Sequence, residues 1–159
     1  MPSDPGRPAP RNLRVLLLPP TNRDAEVLQK LLAREGFECE VCRSLTDVCD
    51  WIGKGVGTIF VSEESLYNGH EQLAECVAAQ PVWSDLPIIV LSKSGAELPA
   101  LAAIIAKLGN VTVLERPVRM TTMTSMVRAA LRARERQYEV RDQLEAREKA
   151  EAEIGRAHV

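Results

Sequence analysis

Five short apolar runs, each followed by a stretch with helical periodicity, restrict the fold of this 159-residue chain more than any other feature. Most of the runs are almost wholly apolar, which is typical of parallel strands covered on both faces, and the second alternates as an edge strand does. Strict alternation of strands and helices predicts an α/β fold with a five-stranded, doubly wound parallel sheet of flavodoxin-like order 2-1-3-4-5. The predicted strands are residues 13–18, 37–42, 58–61, 86–91 and 111–114.

Capping residues and apolar spacing predict where the helices lie. The first helix begins after the N-cap Thr21 and the second after Ser44, and two more are expected over residues 71–80 and 98–108. The first helix carries apolar residues at helical spacing: Val27, Leu28, Leu31 and Leu32. The last helix is much longer than the domain needs, because residues 120–153 contain neither Pro nor Gly.

Composition divides the chain into three parts. Residues 1–12 hold four prolines and are expected to form a disordered leader. Residues 13–132 form the α/β domain, and residues 133–159 form a helical extension, a coiled-coil linker with a frayed end. No run is apolar enough for a membrane span or a signal peptide, so we expect a cytoplasmic protein with no membrane partner. A net charge of −2 does not indicate the positively charged surface that nucleic-acid binding needs.

The four cysteines are expected to be reduced in the cytoplasm. Cys39 and Cys42 have C-x-x-C spacing, but residues three apart in a strand point to opposite faces, and no second pair follows. We therefore expect them to be small, partly buried hydrophobic residues and predict neither a metal nor a cofactor.

In a doubly wound sheet of this order, functional residues lie beyond the carboxyl ends of the central strands. Four of the predicted strands end around one crevice, so the residues that follow them should lie together. These residues are Pro19, Pro20, Ser62, Glu63, Glu64, Ser92, Arg116 and Pro117.

The arrangement resembles the receiver domain of two-component response regulators over about residues 13–132. The stretch 86–92, Leu-Pro-Ile-Ile-Val-Leu-Ser, is similar to the family's fourth strand with its switch Ser/Thr, and Arg116-Pro117 is similar to its Lys-Pro. Residues 15–18 are also similar to the family's first strand, and residues 22–24 to the start of its first helix. In this family, two acids after strand one bind Mg²⁺, an Asp after strand three accepts the phosphoryl group, and a Lys after strand five pairs with it.

The chain departs from that pattern at most of these positions. The acid pair is replaced by Pro19 and Pro20, the acceptor by Ser62 and the Lys by Arg116, and only Ser92 matches outright. A divalent cation would therefore lose most of its oxygen ligands. The resemblance thus implies a degenerate receiver, or pseudo-receiver, that is not an enzyme and holds no metal.

Two interpretations of the acids after strand three stay open. Glu63 and Glu64 are either solvated loop carboxylates, or one of them points into the crevice and pairs with Arg116, whose planar guanidinium suits a carboxylate. Such a pair would place a permanent negative charge near the family's phosphoryl site and lock an active-like state.

The last helix suggests how the protein acts. Its first part should pack on the sheet through Met123, Met126, Val127, Ala130 and Leu131. Along the rest of the helix, Leu131, Tyr138 and Leu144 form only a sparse apolar seam. The extension is therefore either a solvated single helix or a dimerisation helix. Residues 83–87 and the Arg-rich last helix also resemble the N-terminal receiver-like module of hybrid sensor histidine kinases. That resemblance implies a histidine kinase or sensor domain as partner, in the same or another chain.

Three function classes follow. The leading prediction is a non-catalytic signalling module that acts through protein–protein contacts and homodimerisation. The alternative is an atypical receiver that is still phosphorylated near Ser62 or Glu63. A flavodoxin-like cofactor binder would need a phosphate-binding loop after the first strand, which residues 19–22 do not provide.

Overall fold

A computed structural model of the chain describes residues 8–93 and 99–157. Within these residues the order of elements is β1 (Val15–Leu18), α1 (Asn22–Arg34), β2 (Cys39–Val41), α2 (Leu45–Lys54), β3 (Thr58–Ser62), α3 (Glu63–Leu66), α4 (His70–Ala78), β4 (Ile88–Ser92), α5 (Pro99–Leu108), β5 (Val111–Glu115) and α6 (Met120–Ala157). None of the described helices is long and apolar enough to cross a membrane.

The strands form one parallel sheet in the order β2-β1-β3-β4-β5, which confirms the predicted topology. The register brings the carboxyl ends of the central strands level with one another. Leu18 lies opposite Val61, and Ser62 lies opposite Leu91. At the β5 edge, Ser92 lies opposite Glu115. The residues that follow these strands are therefore neighbours in space.

Side chains of alternate strand residues pack into two separate hydrophobic layers, one on each face of the sheet. Leu16, Ile59 and Val90 point to the layer that α2, α3, α4 and α5 cover. Leu17, Phe60 and Ile89 point to the layer that α1 and α6 cover. Because both faces are buried, the central strands need the near-continuous apolar runs that predicted them.

The helix starts agree with the capping signals, while some helical side chains do not lie where the spacing placed them. The Thr21 Oγ1 accepts a hydrogen bond from the Asp24 N–H (3.1 Å), as expected of an N-cap. Val27, however, is 51% exposed, and α1 buries Ala25 in its place, with Leu28 and Leu32. The buried stripe of α1 is therefore narrower than the set of apolar residues at helical spacing.

The first part of α6 packs on the sheet as predicted, through buried Met123 and Val127 with Met126, Ala130 and Leu131 beside them. The helix does not leave the domain at Arg132. Arg134, Tyr138 and Arg141 are only 2%, 2% and 6% exposed. Their polar groups reach backbone carbonyls, so these long side chains are buried without losing their hydrogen bonds.

The segment just before β1 lies along this second part of α6. The Tyr138 hydroxyl donates to the Asn12 carbonyl oxygen (2.9 Å), and the Arg141 Nη1 donates to the Pro10 carbonyl oxygen (3.2 Å). Arg11 forms an ion pair with Asp142 (3.0 Å). Residues 8–12, predicted to be a disordered leader, are therefore held against the helix. Residues 1–7, the predicted start of the fourth helix at residue 98, and the predicted frayed end at 158–159 lie outside the described residues.

The expectation that all four cysteines are reduced is wrong for Cys49 and Cys76. A disulfide joins them between α2 and α4, whose side-by-side packing brings the two Cα atoms to 5.9 Å. Cys39 and Cys42 are free thiols in different hydrophobic layers, as strand alternation requires. Burial, with nearby carboxylates, raises the pKa of Cys39 to about 11 and that of Cys42 to about 12, so both stay protonated at neutral pH.

Candidate functional site

The carboxyl edge of the sheet begins with two prolines where the family keeps acids. Pro19 is buried directly after β1, and Pro20 is exposed beside it. Neither side chain carries an oxygen or a nitrogen that could bind a cation or a phosphoryl group. The two side chains directly after β1 therefore supply no ligand.

Ser62 is the last residue of β3 and is fully buried. Its Oγ lies 2.9 Å from the Ser65 Oγ, one turn further along α3. The hydroxyl is thus engaged within its own segment. It does not face solvent, as an acceptor of a phosphoryl group from outside would need to.

Glu63 is also fully buried, so the solvated-loop interpretation is wrong for this residue. Its Oε2 accepts a hydrogen bond from the Lys93 backbone N–H (2.8 Å), directly after β4. Its Oε1 accepts from the Tyr67 hydroxyl. That hydrogen bond, together with burial and the charge of Glu63, raises the pKa of Tyr67. Glu63 therefore joins the ends of β3 and β4, with both oxygens occupied.

Glu64 makes the contact with Arg116 that one of the two open interpretations described. The Arg116 Nη2 lies 2.6 Å from the Glu64 Oε1, and the two side chains are 29% and 30% exposed. The Lys93 Nζ lies 4.0 Å from the same oxygen. Arg116 also donates from Nε and from its backbone N–H to the Ser92 carbonyl oxygen, at 3.2 and 3.1 Å. The guanidinium thus ties α3 to the ends of β4 and β5.

The Glu64 carboxylate is held in its charged form. Burial opposes ionisation, but hydrogen bonds from its own backbone N–H and from Arg116, with the charges of Arg116 and Lys93, outweigh it and lower the pKa of Glu64. Its Oε2 is buried and has no hydrogen-bond partner among the described residues. Glu64 is therefore negatively charged at neutral pH, with Arg116 and Lys93 as its cationic neighbours.

The donor set of the crevice does not fit a divalent cation. Magnesium needs several oxygen ligands in octahedral geometry. Pro19 and Pro20 offer no side-chain ligand, and Glu63 and Glu64 are engaged with Tyr67, Lys93 and Arg116. In the described parts of the chain, no group of three or more His, Cys, Asp and Glu side chains is placed to hold a metal ion.

Sequence reasoning brought the right residues together but missed three of their partners. Ser65, Tyr67 and the Lys93 backbone were not singled out, although they engage Ser62 and Glu63. The spacing of Glu63 and Tyr67 by four residues is compatible with one helical turn and could have suggested that contact. Pro117 follows Arg116 through a cis peptide bond.

Comparisons with known proteins identify the fold. No protein-family model matches the chain, and no curated protein matches it in sequence. Among solved structures, NtrX from Brucella abortus in complex with ADP aligns with a TM-score of 0.66 and 17% identity over 83% of this chain, which spans only 29% of the NtrX chain. The signal receiver domain of an HD domain-containing protein from Pseudomonas fluorescens aligns with a TM-score of 0.64 and 19% identity, covering 86% of this chain and 96% of that one.

A third similar structure includes a coiled coil. It is a fusion containing the yeast Spc42 trimeric coiled-coil segment, with a TM-score of 0.61 and 16% identity over 95% of this chain and 99% of that one. The fold of the chain is that of a receiver domain. Identities below 20% establish that fold and leave the chemistry to the site itself.

The Glu64–Arg116 pair gives a first prediction. Glu64→Gln and Arg116→Gln should each lower the free energy of unfolding at pH 7 by about 1 kcal/mol, and the double variant should lose less than the sum, because both remove one interaction. Since the pKa of Glu64 is lowered on folding from 4.5, the contribution is complete above that pH and disappears as the pH falls below it. Urea unfolding at several pH values measures both effects.

Glu26→Gln, at an exposed position of α1, is the matched control and should change the free energy of unfolding little at any of these pH values. Strictly additive losses in the double variant would show that Glu64 and Arg116 do not interact.

Proposed function

We propose that the protein is a receiver-like signalling module of a two-component system that performs no phosphotransfer. The observation that carries this proposal is the Glu64–Arg116 ion pair, in which a carboxylate of the chain itself already engages the cation after β5. In the family that the sequence resembles, the corresponding cation pairs with the phosphoryl group. A permanent carboxylate in its place would hold the crevice in one state without a modification.

The burial of the acceptor position supports the same proposal. Phosphoryl transfer needs an exposed nucleophile and cations that neutralise the charge developing on the phosphoryl oxygens. Ser62 and Glu63 are fully buried, and Pro19 and Pro20 replace the acids that would hold Mg²⁺. The second candidate function, an atypical receiver phosphorylated on Ser62 or Glu63, draws its support only from the position of these residues at the end of β3.

Incubation with acetyl phosphate and Mg²⁺, followed by intact-mass spectrometry, separates the two functions. A module without phosphotransfer should show no added phosphoryl group, because neither acceptor is accessible and no acid set holds the metal. The variants Ser62→Ala and Glu63→Gln should behave in the same way. A mass gain in the native protein that either substitution removes would establish the atypical receiver and contradict this proposal.

The output of such a module would be protein–protein contact through α6. Tyr138 is buried inside the domain, so the apolar seam expected from Leu131, Tyr138 and Leu144 is not available to a second chain. Another apolar stripe is exposed on the same helix, formed by Val140, Leu144 and Ile154. At 3.6 residues per turn these three side chains lie within an arc of about 80°, away from the face that carries Tyr138.

The exposed stripe supports pairing with a second copy of the chain. Positions 140, 144, 147, 151 and 154 follow the alternating spacing of three and four that coiled coils use, although Arg147 and Glu151 interrupt the apolar residues. Those two side chains pair with each other along the helix (3.3 Å). The yeast fusion contains a trimeric coiled coil. The alignment of that fusion with this chain covers 95% of the chain and so includes part of α6. The partner of the assembled module would be a histidine kinase or a sensor domain, in the same or another chain.

Sizing in solution by light scattering tests this interface. Leu144→Glu should shift the native dimer to monomer, because it places a charge in the middle of the stripe. Ala146→Glu adds the same carboxylate at an exposed position about 120° from Val140 around the helix and should leave the dimer intact. A monomeric native chain, or equal behaviour of the two variants, would contradict dimerisation through this stripe. Truncation at Arg132 is a poorer test, since it also removes the buried residues Arg134 and Tyr138.

A further inference from the structure

A cavity of about 280 Å³ lies at the amino ends of the strands, whereas the crevice lies at their carboxyl ends. Its walls come from segments that precede strands, including Asn12 before β1, Gly55 before β3 and Trp83 before β4, and from the second part of α6. Because the strands are parallel, these amino ends lie at the far side of the sheet from Glu64 and Arg116. The cavity is therefore separate from the candidate site described above.

The lining of this cavity carries positive charge and no carboxylate. Its charged side chains are Lys54, Arg134 and Arg141, and its other members are neutral. Lys54 lies exposed at the end of α2, whereas the two arginines are almost completely buried. Burying a cation is costly unless an acid pairs with it, so the partners of each arginine determine the charge of the cavity.

Arg134 has only neutral hydrogen-bond partners. Its Nε donates to the Val56 carbonyl oxygen (2.9 Å), and its Nη1 donates to the Ser84 Oγ and the Gln137 Oε1, both at 2.7 Å. No carboxylate within the described ranges forms an ion pair with it. Asp85 is exposed nearby, and its backbone groups are bonded to Gln137. The charge of Arg134 is thus satisfied by hydrogen bonds but not neutralised.

Arg141 shares its single acid with another cation. Its Nη2 lies 2.9 Å from the Asp142 Oδ1, while Arg11 bonds the Oδ2 of the same carboxylate at 3.0 Å. Arg11 and Arg141 thus share the Asp142 carboxylate. The exposed Asp85 acts on Arg134 by its charge without forming an ion pair with it. These three guanidinium groups therefore outnumber the two carboxylates near them. The local charge is therefore positive.

Both guanidinium groups lie near the same two aromatic rings. The ring centroids of Trp83 and Tyr138 are 5.7 Å apart. The Arg134 Cζ lies 5.5 Å from the Trp83 centroid and 4.9 Å from the Tyr138 centroid, and the Arg141 Cζ lies 5.7 and 4.8 Å from the same two. Burial, and secondarily the neighbouring charge of Arg141, lowers the pKa of Arg134. An anion bound in the cavity, which both arginines line, would offset both effects.

We propose that this cavity binds a small organic anion through a carboxylate or phosphate group, with Arg134 and Arg141 as the anion-binding residues and Lys54 at the rim. The cavity has about the volume of nine liquid waters and so accommodates a small organic acid or phosphate ester. Such a ligand would touch the segment before β1, the turn between α2 and β3, and α6 at once. Its binding would therefore strengthen the attachment of α6 to the domain.

Isothermal titration calorimetry of the full chain with citrate and, separately, with 3-phosphoglycerate tests the site and distinguishes a carboxylate from a phosphate ligand. At least one should bind saturably with a Kd below about 1 mM, whereas uncharged glycerol should not bind. Arg141→Gln should weaken binding about tenfold or more, because it removes a charged donor from the site. Lys54→Met should weaken it by a smaller factor without lowering Tm, since this side chain is exposed.

Arg128→Gln is the matched control, because it removes the same charge from an exposed position of α6 outside the cavity lining. It should leave the affinity unchanged. The absence of saturable binding of both anions, or equal affinity in the native chain and the Lys54→Met variant, would overturn the proposal. The Lys54 variant decides the outcome if Arg141→Gln fails to fold, because loss of folding would indicate only that Arg141 fastens α6.

Discussion

The contact between Glu64 and Arg116 determines what the carboxyl edge of the sheet can do. The two side chains lie 2.6 Å apart, and the same guanidinium reaches the Ser92 carbonyl oxygen. Beside this pair, the Glu63 carboxylate accepts a hydrogen bond from the Lys93 backbone N–H. Two adjacent carboxylates thus connect the ends of three strands, where a phosphorylated receiver would depend on an added group. The electrostatics of the crevice is consequently a permanent property of the sequence.

At the amino ends of the strands, buried arginines hold α6 against the domain. Arg134 and Arg141 fasten the second part of α6 to the backbone of the segments before β1 and β3, and the rings of Trp83 and Tyr138 lie beside them. One face of α6 is thereby occupied inside the domain. The stripe of Val140, Leu144 and Ile154 is left on another face. The proposed ligand site and the proposed dimer interface therefore share one helix, although they use different sides of it.

The strand order could be predicted from sequence because apolar runs and helix caps are local signals, and alternation admits few topologies. The Glu64–Arg116 pair could be anticipated because the topology brings strand ends together. The burial of Arg134 and Arg141 could not be predicted, since charged residues at helical spacing normally indicate a solvated face. Nor could the Cys49–Cys76 disulfide, which depends on how α2 and α4 pack rather than on spacing. In each of these failures, tertiary contacts overrode a local pattern.

We propose that the carboxylates of the chain have replaced the phosphoryl group, so that the crevice no longer responds to one. Backbone amide chemical shifts of Lys93 and Arg116, followed by NMR while Mg²⁺ and the phosphoryl analogue beryllofluoride are added, test it directly. These amides donate to Glu63 and to the Ser92 carbonyl oxygen, so they report any rearrangement of the crevice. If the carboxylates have replaced the phosphoryl group, both shifts should stay unchanged throughout the titration. A saturable change at both amides would show that the crevice still binds a phosphoryl group and would contradict it.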